Sequence, residues 1–227
     1  GGVSVFTFAS NLEAVPLSLI GAAYATAAFP VLAEHHRKKQ GVEYRDTISA
    51  AARHIIFWST IIMVLTIVLR AHIVRIVLGT GAFSWNDTRL TAAILGILIV
   101  ALAAQGLILL CARAFYAAQR SWNPLIMQLG DIGVSVAVAL GGMWLAGQYP
   151  PVRYFVEALF RVSDVGGADI LFIAIGATVG QLIVAGVALI TLSRVAPGVA
   201  RSLVRPLFQA LGSGILGGAA SYGVLSF

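Results

Sequence analysis

Five stretches of this chain, residues 14–33, 90–112, 132–152, 170–193 and 206–227, contain no Asp, Glu, Lys or Arg. Each is about as long as the ~20 apolar residues a helix needs to cross a hydrocarbon core. A sixth gap, 54–69, is shorter; Ala50, Ala51 and Ala52 lengthen it, and Arg53 and Arg70 can snorkel to headgroups from its two ends. Only 11% of the 227 residues are charged and 59% are hydrophobic, whereas a soluble domain carries about 25% charge. That deficit leaves too little polar surface to cover a core in water, which excludes disorder, coiled coil, collagen and an ordinary soluble enzyme. The runs are continuous rather than alternating, so the segments read as helices and not barrel strands. The expected fold is all-α: one polytopic membrane bundle of about six transmembrane helices, with spans near 3–33, 51–70, 89–117, 123–146, 168–193 and 204–226.

The cations set the orientation. The connections after spans one, three and five hold Arg37, Lys38, Lys39, Arg45, Arg53, Arg113, Arg120, Arg194, Arg201 and Arg205; the other two hold Arg70, Arg75, Arg89, Arg153 and Arg161. The richer side is expected in the cytoplasm, so the first span runs inward. Trp58, Trp85, Trp122 and Trp144 fall near span ends, as an aromatic belt requires. The net charge of +6 is thereby a matter of topology and headgroups, with no nucleic-acid partner implied. The opening Gly1-Gly2-Val3 carries no signal-peptide pattern and suggests a piece of a longer chain.

Three local features bear on the connections. His35 to Arg53 is polar and basic, and reads as a short surface helix on the cytoplasmic side. Residues 151–162 place Val152, Phe155, Val156, Leu159 and Phe160 at helical spacing opposite Arg153, Glu157 and Arg161. That is the pattern of an amphipathic helix lying in the outer interface. Pro16 interrupts the first span, where a proline frees a carbonyl and permits a bend.

Ionisable and polar groups inside a bilayer are costly, so each one is a candidate for function. Asp131 sits about two turns into the fourth span with Ser135 on the same face; Thr178 and Gln181 lie mid-span in the fifth. Together these four oxygen-bearing side chains are a candidate nest for Na⁺ or a proton, against the plainer alternative of packing hydrogen bonds between helices. Asn11 and Glu13 lie ahead of Pro16, where Glu13 can face a water-filled cavity or the outer headgroups. Arg113 ends the third span and can hold an anionic headgroup or snorkel. The single cysteine, Cys111, lies in an apolar run, and His54 and His72 read as interfacial, so no metal centre is expected. No paired-histidine metal motif, nucleophile elbow or phosphate-cradling loop is present, and a transporter is expected rather than an enzyme, with no cofactor beyond a coupling ion. Gly176-x-x-x-Gly180 and Gly214-x-x-x-Gly218 fit close helix contacts.

Three groups of residues, in order over about residues 5–145, carry a resemblance. Pro16-Leu-Ser-Leu-Ile-Gly21-Ala-Ala-Tyr-Ala-Thr26-Ala-Ala-Phe-Pro30 is similar to the long second helix of a lobe in the MurJ/MviN family. Gly79-Thr-Gly81-Ala-Phe83 with Asp87-Thr88 resembles the next helix junction, and Ala112-Arg113-Ala114-Phe115-Tyr116-Ala-Ala-Gln119 with Pro124 is the most specific match. The resemblance implies most of the second lobe of a lipid II flippase, related to the multidrug and oligosaccharide-lipid exporters. Such a protein would work by alternating access in cell-wall synthesis, in the bacterial cytoplasmic membrane, with a first lobe of the same chain as partner and a lipid diphosphate as substrate. Asn11, Glu13 and Arg113 would face that substrate; Asp131, Ser135, Thr178 and Gln181 would couple an ion. Ser10 and Asn11 stand where family members commonly carry an acidic-arginine or asparagine-arginine pair, and Ser135 and Ala139 where some carry the asparagine and aspartate of a sodium site. Another exporter of the superfamily and a non-transporting membrane scaffold are the competing readings.

Overall fold

The computed structural model describes residues 2–78, 85–160 and 169–214, apart from 204, 207 and 211. The described residues form helices joined by short turns. The first runs as α1 (Gly2–Pro16), a π-helical segment (Leu17–Ala22) and α2 (Ala23–Arg37). Then come α3 (Gly41–Leu78), α4 (Trp85–Leu98), a 3₁₀ turn (Ile99–Ala101) and α5 (Leu102–Ala117). They are followed by α6 (Trp122–Gln148), α7 (Pro150–Leu159) and α8 (Ile170–Leu192). Five of the resulting rods, Gly2–Arg37, Gly41–Val77, Trp85–Ala117, Trp122–Gln148 and Ile170–Leu192, are long and apolar enough to cross a membrane. Most of the expected sixth span, 204–226, lies outside the described residues, as do Gly79 to Phe83, Arg161 and Gly218.

The π segment begins directly after Pro16. Proline has no N–H to give to the preceding turn, and a wider turn lets the chain pass it without ending the helix. The chain from His35 to Arg53 is not a separate surface helix. It turns at Lys38–Gln40 and enters α3 at Gly41, because Tyr44, Ile48, Ala52 and Ile55 form one buried stripe that runs on into the span. Arg45, Asp46 and Arg53 lie off that stripe, so the charges do not interrupt it.

The α4–α5 rod is the most enclosed of the five, and α1, α2, α3 and α8 pack around it. α6 lies against α8 along its length and shows most of its remaining surface outward, including Ile126, Leu129, Ile132, Val136 and Leu140. Exposed apolar surface of this kind suits lipid or a further part of a larger protein. Buried apolar residues form two clusters. One joins Val5, Ala9, Val74, Leu90, Ile94, Leu98, Leu171 and Ala174 toward the end where α1, α4 and α8 begin. The other joins Ile20, Leu32, Tyr44, Ile48, Ile55, Leu107, Phe115, Val184 and Leu192 toward the opposite end.

α7 covers the expected interfacial segment from Pro150 to Leu159. Its Arg153 Nε donates to Glu157 Oε1 at 2.8 Å, with Asp169 Oδ1 3.8 Å from Arg153 Nη2. The Glu157 hydrogen bond, with Asp169 nearby, holds the Arg153 guanidinium above its ordinary value. Glu157 is buried under that contact, while Tyr154, Phe155 and Leu159 are exposed.

Candidate functional site

Between the two apolar clusters lies a polar layer. On all three helices the polar residue falls after the last residue of one cluster and before the first of the other: Ala9, Glu13, Ile20; Leu98, Gln105, Leu107; Ala174, Gln181, Val184. The Gln105 amide nitrogen donates to Glu13 Oε1 at 2.6 Å and to Gln181 Oε1 at 2.8 Å. One amide therefore ties α1 to α8 through α5. Glu13 and Gln181 each lie eleven residues past the first residue of their helices. At 1.5 Å per residue that is ~16 Å of depth, near the middle of a hydrocarbon core roughly 30 Å thick. Eight residues past Glu13, in the π segment, Gly21 meets Gly106 of α5 so closely that a Cβ on Gly21 would stand 2.9 Å from the Gly106 Cα.

The residues singled out from sequence divide differently from expectation. Asn11 and Glu13 were expected on one cavity wall. They are two positions apart on a helix, about 200° around it, and Asn11 is exposed while Glu13 is buried at 6%. Glu13 thus belongs to the inside of the bundle.

The expected nest of Asp131, Ser135, Thr178 and Gln181 also does not assemble. Ser135 packs on the α8 face that carries Gly176 and Gly180; a Cβ on Gly176 would stand 2.6 Å from the Ser135 carbonyl oxygen, and one on Gly180 would overlap the Ser135 hydroxyl. Thr178 is two residues from each glycine, on the far side of α8, and its hydroxyl donates to the Ile97 carbonyl at 3.1 Å. Gln181 turns to Gln105. Asp131 stays with Ser135 on α6, half-buried, and its Oδ1 is enclosed with no hydrogen-bond partner.

Arg113 is exposed near the end of α5, its guanidinium 6.0 Å from the centre of the Phe29 ring of α2. Close by, the Tyr44 hydroxyl donates to the Ala114 carbonyl at 2.6 Å, which joins α3 to α5. His54 stacks on Tyr24 with centroids 5.5 Å apart. Among the described residues no group of three or more His, Cys, Asp or Glu is placed to hold a metal.

Gln105 was not foreseen. The signal was present, for it is the one amide in the charge-free run 90–112, but a reading guided by charges passes over a neutral side chain.

Residues 1–150 match the family model described as lipid II flippase MurJ. Over 143 residues, 61% of this chain and 27% of the relative, the sequence is 25% identical to a Bdellovibrio bacteriovorus protein named "Probable lipid II flippase MurJ". A solved structure named "Lipid II flippase MurJ, inward closed conformation" matches 100% of this chain with a TM-score of 0.67 at 18% identity, and the match takes in 46% of that structure's chain. This last likeness establishes the shared helical fold. The chain spans less than half the length of these relatives. The family match runs through the polar layer at Glu13 and Gln105 and through the helix end at Arg113, and on it the chain belongs to the MurJ lipid II flippase family.

Proposed function

We propose that this chain is the C-terminal portion of a flippase that moves lipid II from the inner to the outer leaflet of the bacterial cytoplasmic membrane. The observation that carries the reading is the family match over residues 1–150, on a chain whose described residues include five helices long and apolar enough to cross a membrane. In this reading a first lobe of the same protein faces this one across a central cavity, and the two rock to expose that cavity to each side in turn. Asn11 and Arg113, both exposed, are the side chains offered to a lipid diphosphate headgroup: Asn11 by its amide, Arg113 by a guanidinium able to grip phosphate oxygens. The undecorated apolar faces of α3 and α6 meet lipid or another part of the whole protein.

Expression of the full-length parent in a bacterium depleted of its own lipid II flippase tests this. Restored growth with normal cell-wall labelling is the expected result. A parent that reaches the membrane in folded form yet restores nothing contradicts the reading. The uncharged Asn11, where relatives commonly carry arginine, favours as second reading the export of another lipid-linked oligosaccharide; in that case rescue fails and such a substrate is moved instead.

A further inference from the structure

We propose that Glu13 is a proton-binding site at the waist of the lobe, held by Gln105 and read out through Gln181. Its coupling to transport rests on the flippase reading; the site itself does not.

The geometry selects a proton over a metal ion. A metal needs several oxygen lone pairs converging on one point. Here both N–H groups of Gln105 occupy the space between the oxygens, one aimed at Glu13 and one at Gln181. Oxygens facing donors cannot also face a cation unless the amide turns over. A proton needs no such rearrangement, only a carboxylate oxygen.

The surroundings leave the carboxylate under-compensated. Among the described residues Gln105 is its one side-chain donor, and no cation is paired with it. α8 and the π segment carry no ionisable side chain. α4 has Asp87 and Arg89 in its first turns, α5 has Cys111 and Arg113 toward its far end, and α6, packed on α8, has Asp131 one turn before Ser135. α3 lays Arg70 on Gly96, nine residues before Gln105. α2 has no ionisable group before Tyr24, and its Glu34, His35, His36 and Arg37 lie in its last turn. An ionised carboxylate in this position is costly unless a second donor reaches it. On protonation, water gives up a proton, one Glu13 oxygen becomes a hydroxyl, and the carboxyl is neutral with a hydrogen bond of its own to give.

The consequence is mechanical. The ionised form favours any movement of α1 that brings a further donor or water to Glu13; the neutral form favours the closed layer seen here. The hinge for such movement is adjacent: the π segment starts four residues on, and it pivots on the bare Gly21–Gly106 crossing. A cavity of about 300 Å³ lined by Leu12, Val15, Pro16, Leu19, Ile62 and Ile99 flanks the same turn and gives it room.

Infrared difference spectroscopy of the full-length parent in lipid, between pH about 5 and about 9, tests the site without any transport substrate. The expected result is a protonated-carboxyl band that changes with pH, is missing from Glu13→Gln, and survives in Asp131→Asn. Gln105→Leu and Gln181→Leu serve if Glu13→Gln does not fold. The first should move the pH at which the band disappears by about one unit, a tenfold change in proton affinity, and the second by less. Identical spectra for wild type and Glu13→Gln at every pH overturn the proposal, as does a band that answers to Na⁺ at fixed pH. Because no lipid II is present, either failure leaves the flippase reading standing, and failed rescue in cells leaves this one standing.

Discussion

Gly21 and Gly106 touch backbone to backbone. A Cβ on Gly21 would come within 2.9 Å of the Gly106 Cα, and one on Gly106 within 2.6 Å of Ile55 Cγ2. The contact brings the π segment, α5 and α3 together at one point just below the polar layer. Backbone cannot yield as a flexible side chain can, and Ile55, fully buried and branched at Cβ, has little more room to give. Gly21→Ala and Gly106→Ala in the full-length parent should each cost about 1–3 kcal/mol of stability, the usual range for overpacking. Gly133→Ala and Gly141→Ala, where an added Cβ meets nothing within 4 Å, should be neutral or gain up to ~1 kcal/mol from helix propensity. Thermal melts in detergent separate the two pairs, and equal losses in all four would contradict the crossing.

At the α6–α8 seam the obstruction is a side chain, so it can be relieved. Gly180→Ala should destabilise because its methyl overlaps the Ser135 hydroxyl. Adding Ser135→Ala should recover a substantial part of that loss, a coupling on the order of 1 kcal/mol in a double-mutant cycle. Additive losses would mean the helices do not meet there.

Tyr44 ties α3 to α5 through the Ala114 carbonyl. That carbonyl also accepts the Ala118 N–H at 3.0 Å, so Tyr44→Phe leaves no orphaned acceptor. The expected cost is therefore at the low end for a hydrogen bond, about 0.5–1 kcal/mol. A loss several times larger in the same melts would show that Tyr44 does more than this bond.

α7 offers Tyr154, Phe155 and Leu159 outward and keeps Glu157 beneath Arg153. If these residues rest in the outer headgroup region, spin labels at positions 155 and 159 should collide more with oxygen, which concentrates in lipid, than with a water-soluble relaxer. A label at Arg153 should show the reverse ordering. Water-like behaviour at all three sites would place α7 in solution instead.

Charge spacing made much of this architecture legible, because a membrane helix advertises itself by what it lacks. The helices carrying 14–33, 90–112, 132–152 and 170–193 can be read from the gaps between charges alone. The start of α3 could not, because Arg45, Asp46 and Arg53 mark a surface while Tyr44, Ile48, Ala52 and Ile55 continue the core on the other side of the same helix. Periodicity, not composition, carries that information.

The site shows the same limit. Glu13 and Gln181 stood out as intramembrane polar groups but were assigned to different clusters, because sequence gives the face of each helix and not its neighbour. Gln105, the residue that joins them, is neutral and escaped notice. Thr178 and Ser135 were grouped by depth, yet they lie on opposite sides of α8, a distinction that the angle between Gly176, Thr178 and Gly180 already contains.

Lipid II translocation by the purified full-length parent in liposomes, scored by access of an added enzyme or dye to the headgroup, tests the flippase reading most directly. Lipid II should cross between leaflets at a rate well above that in protein-free liposomes, and replacing Arg113 by alanine should slow it at unchanged thermal stability. Lipid II that stays in its starting leaflet in the presence of folded protein, while another lipid-linked oligosaccharide crosses, would contradict it.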